Sequence, residues 1–128
     1  MLIKHQKQVL IADDDGMMRD MLKAMLRSDG HTVLGEAGNG EQAIAMTETL
    51  KPELVLLDIH MPKMDGLACL ETFKTRFPET VVIMISGDAS LPSVKDALAK
   101  GARGFIVKPF NAAKVLDTIQ RCIQAKVA

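Results

Sequence analysis

Short apolar runs alternate five times with amphipathic stretches along this chain. The runs are Gln8–Ala12, Thr32–Ala37, Leu54–Asp58, Val81–Ser86 and Gly104–Val107. In Val9–Ala12, Leu54–Leu57 and Val81–Ile85 the apolar residues occupy consecutive positions, as strands covered on both faces do. The second run is poorer in hydrophobics and broken by Gly35 and Glu36, which predicts an edge strand. Between the runs the apolar spacing lengthens to three and four. Met17, Met18, Met21, Leu22, Met25 and Leu26 predict a helix closed by Asp29-Gly30, its methionines read as core. Ala43, Met46 and Leu50 follow Asn39-Gly40 and end before Pro52. Leu67, Leu70 and Phe73 follow Asp65, a good helix cap. Val94, Ala97 and Leu98 follow Pro92 and stop at Gly101, and Val115, Leu116, Ile119 and Ile123 follow the capping residue Asn111.

Five βα units joined by right-handed crossovers predict an α/β fold, (βα)5 and doubly wound, with a parallel sheet between helical layers. In such sheets, binding groups collect beyond the carboxyl ends of the strands. Four of the five predicted strand ends carry polar groups: Asp13-Asp14, Asp58, Ser86 and Lys108.

The 128 residues suit a single domain, 1–128, and no internal linker or low-complexity stretch divides them. Sixteen basic residues balance sixteen acidic ones, so no net field favours nucleic acid or an anionic membrane. Aromatic residues are scarce, with neither Trp nor Tyr, which argues against a base-stacking surface. The opening Met-Leu-Ile-Lys-His predicts no signal peptide, and no apolar stretch is long enough for a membrane span. Cys69 and Cys122 stand apart and read as reduced thiols packed as small hydrophobes in a cytoplasm.

Carboxylates gathered at one sheet edge repel one another and lose solvation, a conflict that a divalent cation removes. Oxygen-only donors favour Mg²⁺, with Mn²⁺ as a substitute. The triplet Asp13-Asp14-Asp15 alone could equally be a solvated, helix-capping turn. Lys108 has two readings: a salt bridge to the triplet, or, with the metal, neutralisation of an incoming phosphoryl dianion to which the Ser86 hydroxyl donates. Asp58 in that setting could attack phosphorus. Gly38-Asn39-Gly40 lacks the lysine and spacing of a phosphate loop and reads as a helix-entry turn. His60 has no histidine near it, His5 and His31 falling at the opposite strand ends, and its ring is expected to face solvent.

Four motifs together carry a family resemblance: Val9-Leu-Ile-Ala-Asp-Asp-Asp, Leu56-Leu-Asp-Ile-His-Met-Pro-Lys-Met-Asp-Gly, Ile85-Ser-Gly and Phe105-Ile-Val-Lys-Pro-Phe. From about Lys7 to about Ala125 the chain resembles the CheY-like receiver domain of bacterial two-component response regulators. The resemblance implies a flavodoxin-like sheet in order 2-1-3-4-5. It implies Asp58 as phosphoacceptor, and Mg²⁺ held by Asp13, Asp14, Asp58 and the His60 carbonyl. Ser86 and Lys108 are implied to contact the phosphoryl group. Ser86 and Phe105 are implied as the moving switch pair, with Phe where chemotaxis-type members usually carry Tyr. Lys108–Pro109 is implied to be cis, and His60 and Asp88 to tune the lifetime of the phosphoryl group.

The implied function is a cytoplasmic phosphoacceptor switch. A sensor histidine kinase or phosphotransfer protein phosphorylates it, and the surface of helix 4, strand 5 and helix 5 changes for a downstream protein target. No substrate turnover is expected, and the chain is a monomer or a weak phosphorylation-dependent dimer. Lys95, Lys100, Arg103, Asp117 and Arg121 read as solvated surface in preference to dimer contacts. One alternative is an aspartate-nucleophile phosphohydrolase of the haloacid dehalogenase type, against which stands His60 where a second acid is needed. The other is a pseudo-receiver that is never phosphorylated. With no room for an output domain, the chain is expected to be a stand-alone regulator or a piece of a longer one.

Overall fold

The computed structural model describes residues 6–88 and 90–127; His5 lies outside them. Its elements run β1 (Gln8–Ala12), α1 (Gly16–Ser28), β2 (Thr32–Ala37), α2 (Gly40–Leu50), β3 (Leu54–Asp58), α3 (Gly66–Arg76), β4 (Val81–Ser86), α4 (Leu91–Ala99), β5 (Gly104–Val107) and α5 (Ala112–Val127). All strand pairs are parallel and the order is β2-β1-β3-β4-β5. The α/β expectation holds, and β2 is an edge.

Alternation along the strands divides the core into two layers. Val9, Ile11, Leu54, Leu56, Ile83 and Ile85 meet Leu22 and Leu26 of α1 and Val115 and Ile119 of α5. Leu10, Ala12, Val55, Leu57, Val82 and Met84 meet Ala43 of α2, Cys69, Leu70 and Phe73 of α3, and Ala97 of α4. Period-two strands sandwiched between helices require apolar residues at both parities, which is why β3 and β4 are buried throughout.

Helix starts follow the capping residues. Asp15 accepts from the amide of Met17 at 3.0 Å, Asn39 from Gln42 at 2.9 Å, Asp65 from Ala68 at 2.9 Å and Asn111 from Lys114 at 2.8 Å. Ser90 precedes α4 without a side-chain cap bond, and Pro92 sits in its first turn.

The methionine stripe requires a correction. Met18 and Met25 pack beside Leu22 and Leu26, but Met17 and Met21 are 77% and 46% exposed. Positions 18, 22 and 25 share one helical face. Positions 17 and 21 lie about 100° round from it, beyond the edge of the sheet-facing stripe. Both cysteines are buried and free, and burial pushes the Cys69 thiol up to about 12. Lys100 pairs with Asp96 and Glu71, and Arg121 with Asp117, all within the chain. No described helix is long and apolar enough to cross a membrane.

Candidate functional site

Strand register builds the site. Ala12 pairs with Leu57, so the residues that follow, Asp13 and Asp58, leave the sheet side by side. Ser86 pairs with Val107, so Lys108 follows the end of β5, and its side chain reaches back past β4 to Asp13 and Asp58. The Lys108 amide donates to the Ser86 carbonyl at 2.8 Å, and the Lys108–Pro109 bond is cis. Asp13, Asp58 and Ser86 are buried, whereas Asp14 is exposed at the rim.

Oxygens of Asp13, Asp14 and Asp58 lie within 4.8 Å of one another. The Lys108 ammonium donates to Asp13 Oδ2 at 3.2 Å and to Asp58 Oδ1 at 3.3 Å. Burial, and then the neighbouring Asp13 charge, raise the Asp58 carboxyl above the usual carboxylate range against the pull of Lys108. Burial alone would lower the Lys108 ammonium, but Asp58 and Asp13 together carry it above its ordinary value. Three carboxylates against one ammonium leave a formal charge of −2 (−3 + 1) in an all-oxygen donor set. That deficit and that chemistry fit a hard divalent cation such as Mg²⁺.

Ser86 is fully buried, and its hydroxyl accepts from the Asp88 amide at 3.0 Å. Asp88 in turn accepts from the Ser90 amide at 2.9 Å and the Ser93 hydroxyl at 2.7 Å. Those bonds hold the Asp88 carboxyl below its usual range. A cleft of about 430 Å³ opens here, lined by His60, Ser86, Asp88 and Ser93. His60 is exposed, as expected. Phe105 is half-buried and packs against the layer that contains Met84 and Ala97.

Two residues assigned no role from the sequence flank the site. Arg19 donates from Nη1 to the Asp13 carbonyl at 2.7 Å. Gly66 donates its amide to the Ile59 carbonyl at 2.7 Å, and a Cβ there would meet the Asp58 carbonyl. A glycine at the first helical position, where no positive φ is needed, is the available signal for that close approach. A larger cavity of about 740 Å³ lies at the opposite end of the sheet, between Pro52, Phe77 and Ile123. Of the charged groups in its lining, Lys7 pairs with Glu53 and Arg76 with Glu48. The carboxylate cluster lies at the other edge.

Comparison with known proteins places this fold in a family. The family model of the response regulator receiver domain matches residues 9–120. The chemotaxis protein CheY of Listeria monocytogenes is 41% identical over 114 residues, covering 89% of this chain and 96% of that protein. CheY of Bacillus subtilis is 40% identical over 116 residues, covering 91% and 97%. Among solved structures, a chain of the CheX–CheY–BeF3–Mg²⁺ complex from Borrelia burgdorferi superposes with a TM-score of 0.89 at 38% identity. It covers 91% of this chain and 88% of its own length.

Proposed function

This chain belongs to the response regulator receiver domain family, and from that premise we propose that it is a phosphoacceptor switch with Asp58 as the acceptor. Members of the family are signalling switches of two-component systems, not substrate-turnover enzymes. The observation that carries the assignment is the convergence of Asp13, Asp14 and Asp58, with the Lys108 ammonium 3.2 Å from Asp13 and 3.3 Å from Asp58.

Asp13, Asp14 and Asp58, with the His60 carbonyl, are the residues that would hold Mg²⁺. When bound, the cation offsets the negative charge of acceptor and phosphoryl oxygens. An Asp58 carboxylate oxygen attacks phosphorus on the phosphohistidine of a sensor kinase or phosphotransfer protein. The P–N bond breaks, and its electron pair returns to the imidazole. Lys108, already seated between Asp13 and Asp58, turns its ammonium toward the phosphoryl oxygens. Ser86 releases the Asp88 amide and donates its hydroxyl to the new dianion, and Phe105 packs inward behind it. The β4–α4 loop follows, which shifts a pre-existing equilibrium of the α4–β5–α5 face toward its active form. Water then attacks the acyl phosphate, releasing inorganic phosphate and restoring the carboxylate.

The Borrelia complex holds BeF3 and Mg²⁺ and pairs CheY with CheX. The corresponding expectation here is a downstream protein partner in a bacterial cytoplasm, not nucleic acid. Incubation with acetyl phosphate tests the reading. One phosphoryl group should be gained in Mg²⁺, none in chelator, and none by Asp58→Asn. Labelling of that variant as readily as the native chain overturns the assignment, and release of phosphate from simple phosphomonoesters points to a hydrolase.

A further inference from the structure

The edge strand carries an irregularity that reaches the acceptor site. Val9 pairs with Val33, but Leu10 pairs with Gly35, so Leu34 is an extra residue in β2. Val9, Ile11 and Val33 face the α1–α5 layer. In unbroken register Gly35 would stand opposite Ile11, and Glu36 opposite Ala12 would face the α2 layer. The bulge shifts Glu36 opposite Ile11 and turns its carboxylate toward α1. There it accepts from Arg19 Nε at 3.2 Å and from Lys23 Nζ at 2.8 Å.

Arg19 uses both edges of its guanidinium. One is held by Glu36, and the other donates to the Asp13 carbonyl. Besides the Lys108 ammonium on its Oδ2, Asp13 is held at three further points. Its amide donates to the Ala37 carbonyl at 3.0 Å, its Oδ1 accepts from the Asp15 amide at 2.9 Å, and its carbonyl accepts from Arg19. The last of these orients the peptide plane that leads into Asp14, the rim carboxylate of the trio. Glu36 also offsets the guanidinium charge, so the acidic trio keeps its deficit for a cation.

We infer that Arg19, aimed by Glu36 across the β2 bulge, is a positioning residue that sets the Asp13–Asp14 carboxylates for divalent-cation binding. The inference rests on the metal site assigned above. Lysine cannot replace it, because one ammonium cannot span Glu36 and the Asp13 carbonyl as a planar fork does. Lys23 supplies the control: it shares the Glu36 ion pair and does not contact Asp13 in the bonds described.

The test is Mn²⁺ affinity of the full chain by electron paramagnetic resonance of free Mn²⁺, with the Asp13 carbonyl ¹³C shift as a second readout. Arg19→Met should bind Mn²⁺ about 10-fold or more weakly, as loss of a partner that orients metal ligands does. Arg19→Lys should recover only part of that loss. Lys23→Met should bind within about twofold of the native chain, although it loses a comparable ion pair. Only the Arg19 variants should move the Asp13 carbonyl resonance. If Arg19→Met does not fold, Glu36→Ala, which keeps the arginine and frees it, should bind more weakly than Lys23→Met. Equal affinity of Arg19→Met, or of Glu36→Ala in its place, and Lys23→Met overturns the inference and leaves the acceptor site standing. Failure of the native chain to bind Mn²⁺ overturns the acceptor site and the inference with it.

Discussion

The Asp88 amide donates to the Ser86 hydroxyl at 3.0 Å, so the group proposed to recognise the phosphoryl dianion is already engaged by its own loop. Asp88 is itself tied to the start of α4 through the Ser93 hydroxyl at 2.7 Å. A hydroxyl that turns inward must give up the first bond, and the second passes the movement to α4. In Ser93→Ala the loop is less firmly held in the resting form. Loss of this exposed bond should raise the apparent affinity for beryllofluoride with Mg²⁺ by roughly twofold or more. Fluoride NMR titration measures it. Unchanged affinity would disconnect Asp88 from the switch.

Lys108 is the ammonium between two buried carboxylates. Lys108→Met leaves Asp13 and Asp58 facing each other with no intervening charge. In chelator at neutral pH this variant should be about 1–3 kcal/mol less stable in urea unfolding, a figure reduced from that of a fully buried pair because the lysine side chain is 24% exposed. Adding Asp58→Asn should restore most of the loss, since it removes one of the two repelling charges. A double variant no more stable than Lys108→Met alone would locate the damage elsewhere, in lost packing of the lysine stem.

Much of this was legible in the sequence because the strands are buried on both faces. Runs of four or five consecutive apolar residues, too short for a helix and bounded by polar residues, read as buried strands, and Val9–Ala12, Leu54–Leu57 and Val81–Ile85 fall within β1, β3 and β4. Asp13, Asp58, Ser86 and Lys108 stood out because each interrupts a run at its carboxyl end. The partnership of Arg19 with Asp13 was not legible, since it joins a helix side chain to a backbone carbonyl, and the Glu36 beside it is placed by a bulge that only the pairing of β1 with β2 defines. The exposure of Met17 and Met21 was not legible either. Their spacing is helical, but the phase of α1 against the sheet decides which methionines are covered.

Proton linkage at Asp58 has a definite sign in the metal-free protein. Its folded pKa lies above the ordinary 3.8, so the folded chain binds this proton more tightly than the unfolded chain does. Stability from this group is therefore greatest at low pH and falls as pH rises from about 3.8 through the folded value. Glu36 is opposite. Its hydrogen bond from Lys23 depresses the folded pKa, and its contribution is lost as pH falls below about 4.5 through that value. Comparing native protein with Asp58→Asn across the acid range isolates the first effect. The variant should gain stability relative to the native chain as pH rises, and saturating Mg²⁺ should shrink the gap. A gap independent of pH would mean that Asp58 carries no folding-linked proton.

Gly66 opens α3 where the helix meets the end of β3. A Cβ at this position would lie 2.7 Å from the Ile59 Cα and nearer still to the Asp58 carbonyl, so backbone and not a flexible side chain would have to yield. Alanine improves helix propensity by up to about 1 kcal/mol, less at a first-turn position than inside a helix. Overpacking against backbone costs about 1–3 kcal/mol, so the clash should prevail. Gly87→Ala is the matched control, because nothing lies within 4 Å of its added Cβ. Urea unfolding should therefore place Gly66→Ala well below the native chain and Gly87→Ala within about 0.5 kcal/mol of it. The clash also predicts a chemical consequence. Relief requires the β3–α3 loop to shift, and with it the Asp58 backbone on which the proposed acceptor carboxylate is mounted. Gly66→Ala that still folds should bind Mn²⁺ more weakly than the native chain, whereas a loss of stability with intact Mn²⁺ affinity would show that α3 gives way instead.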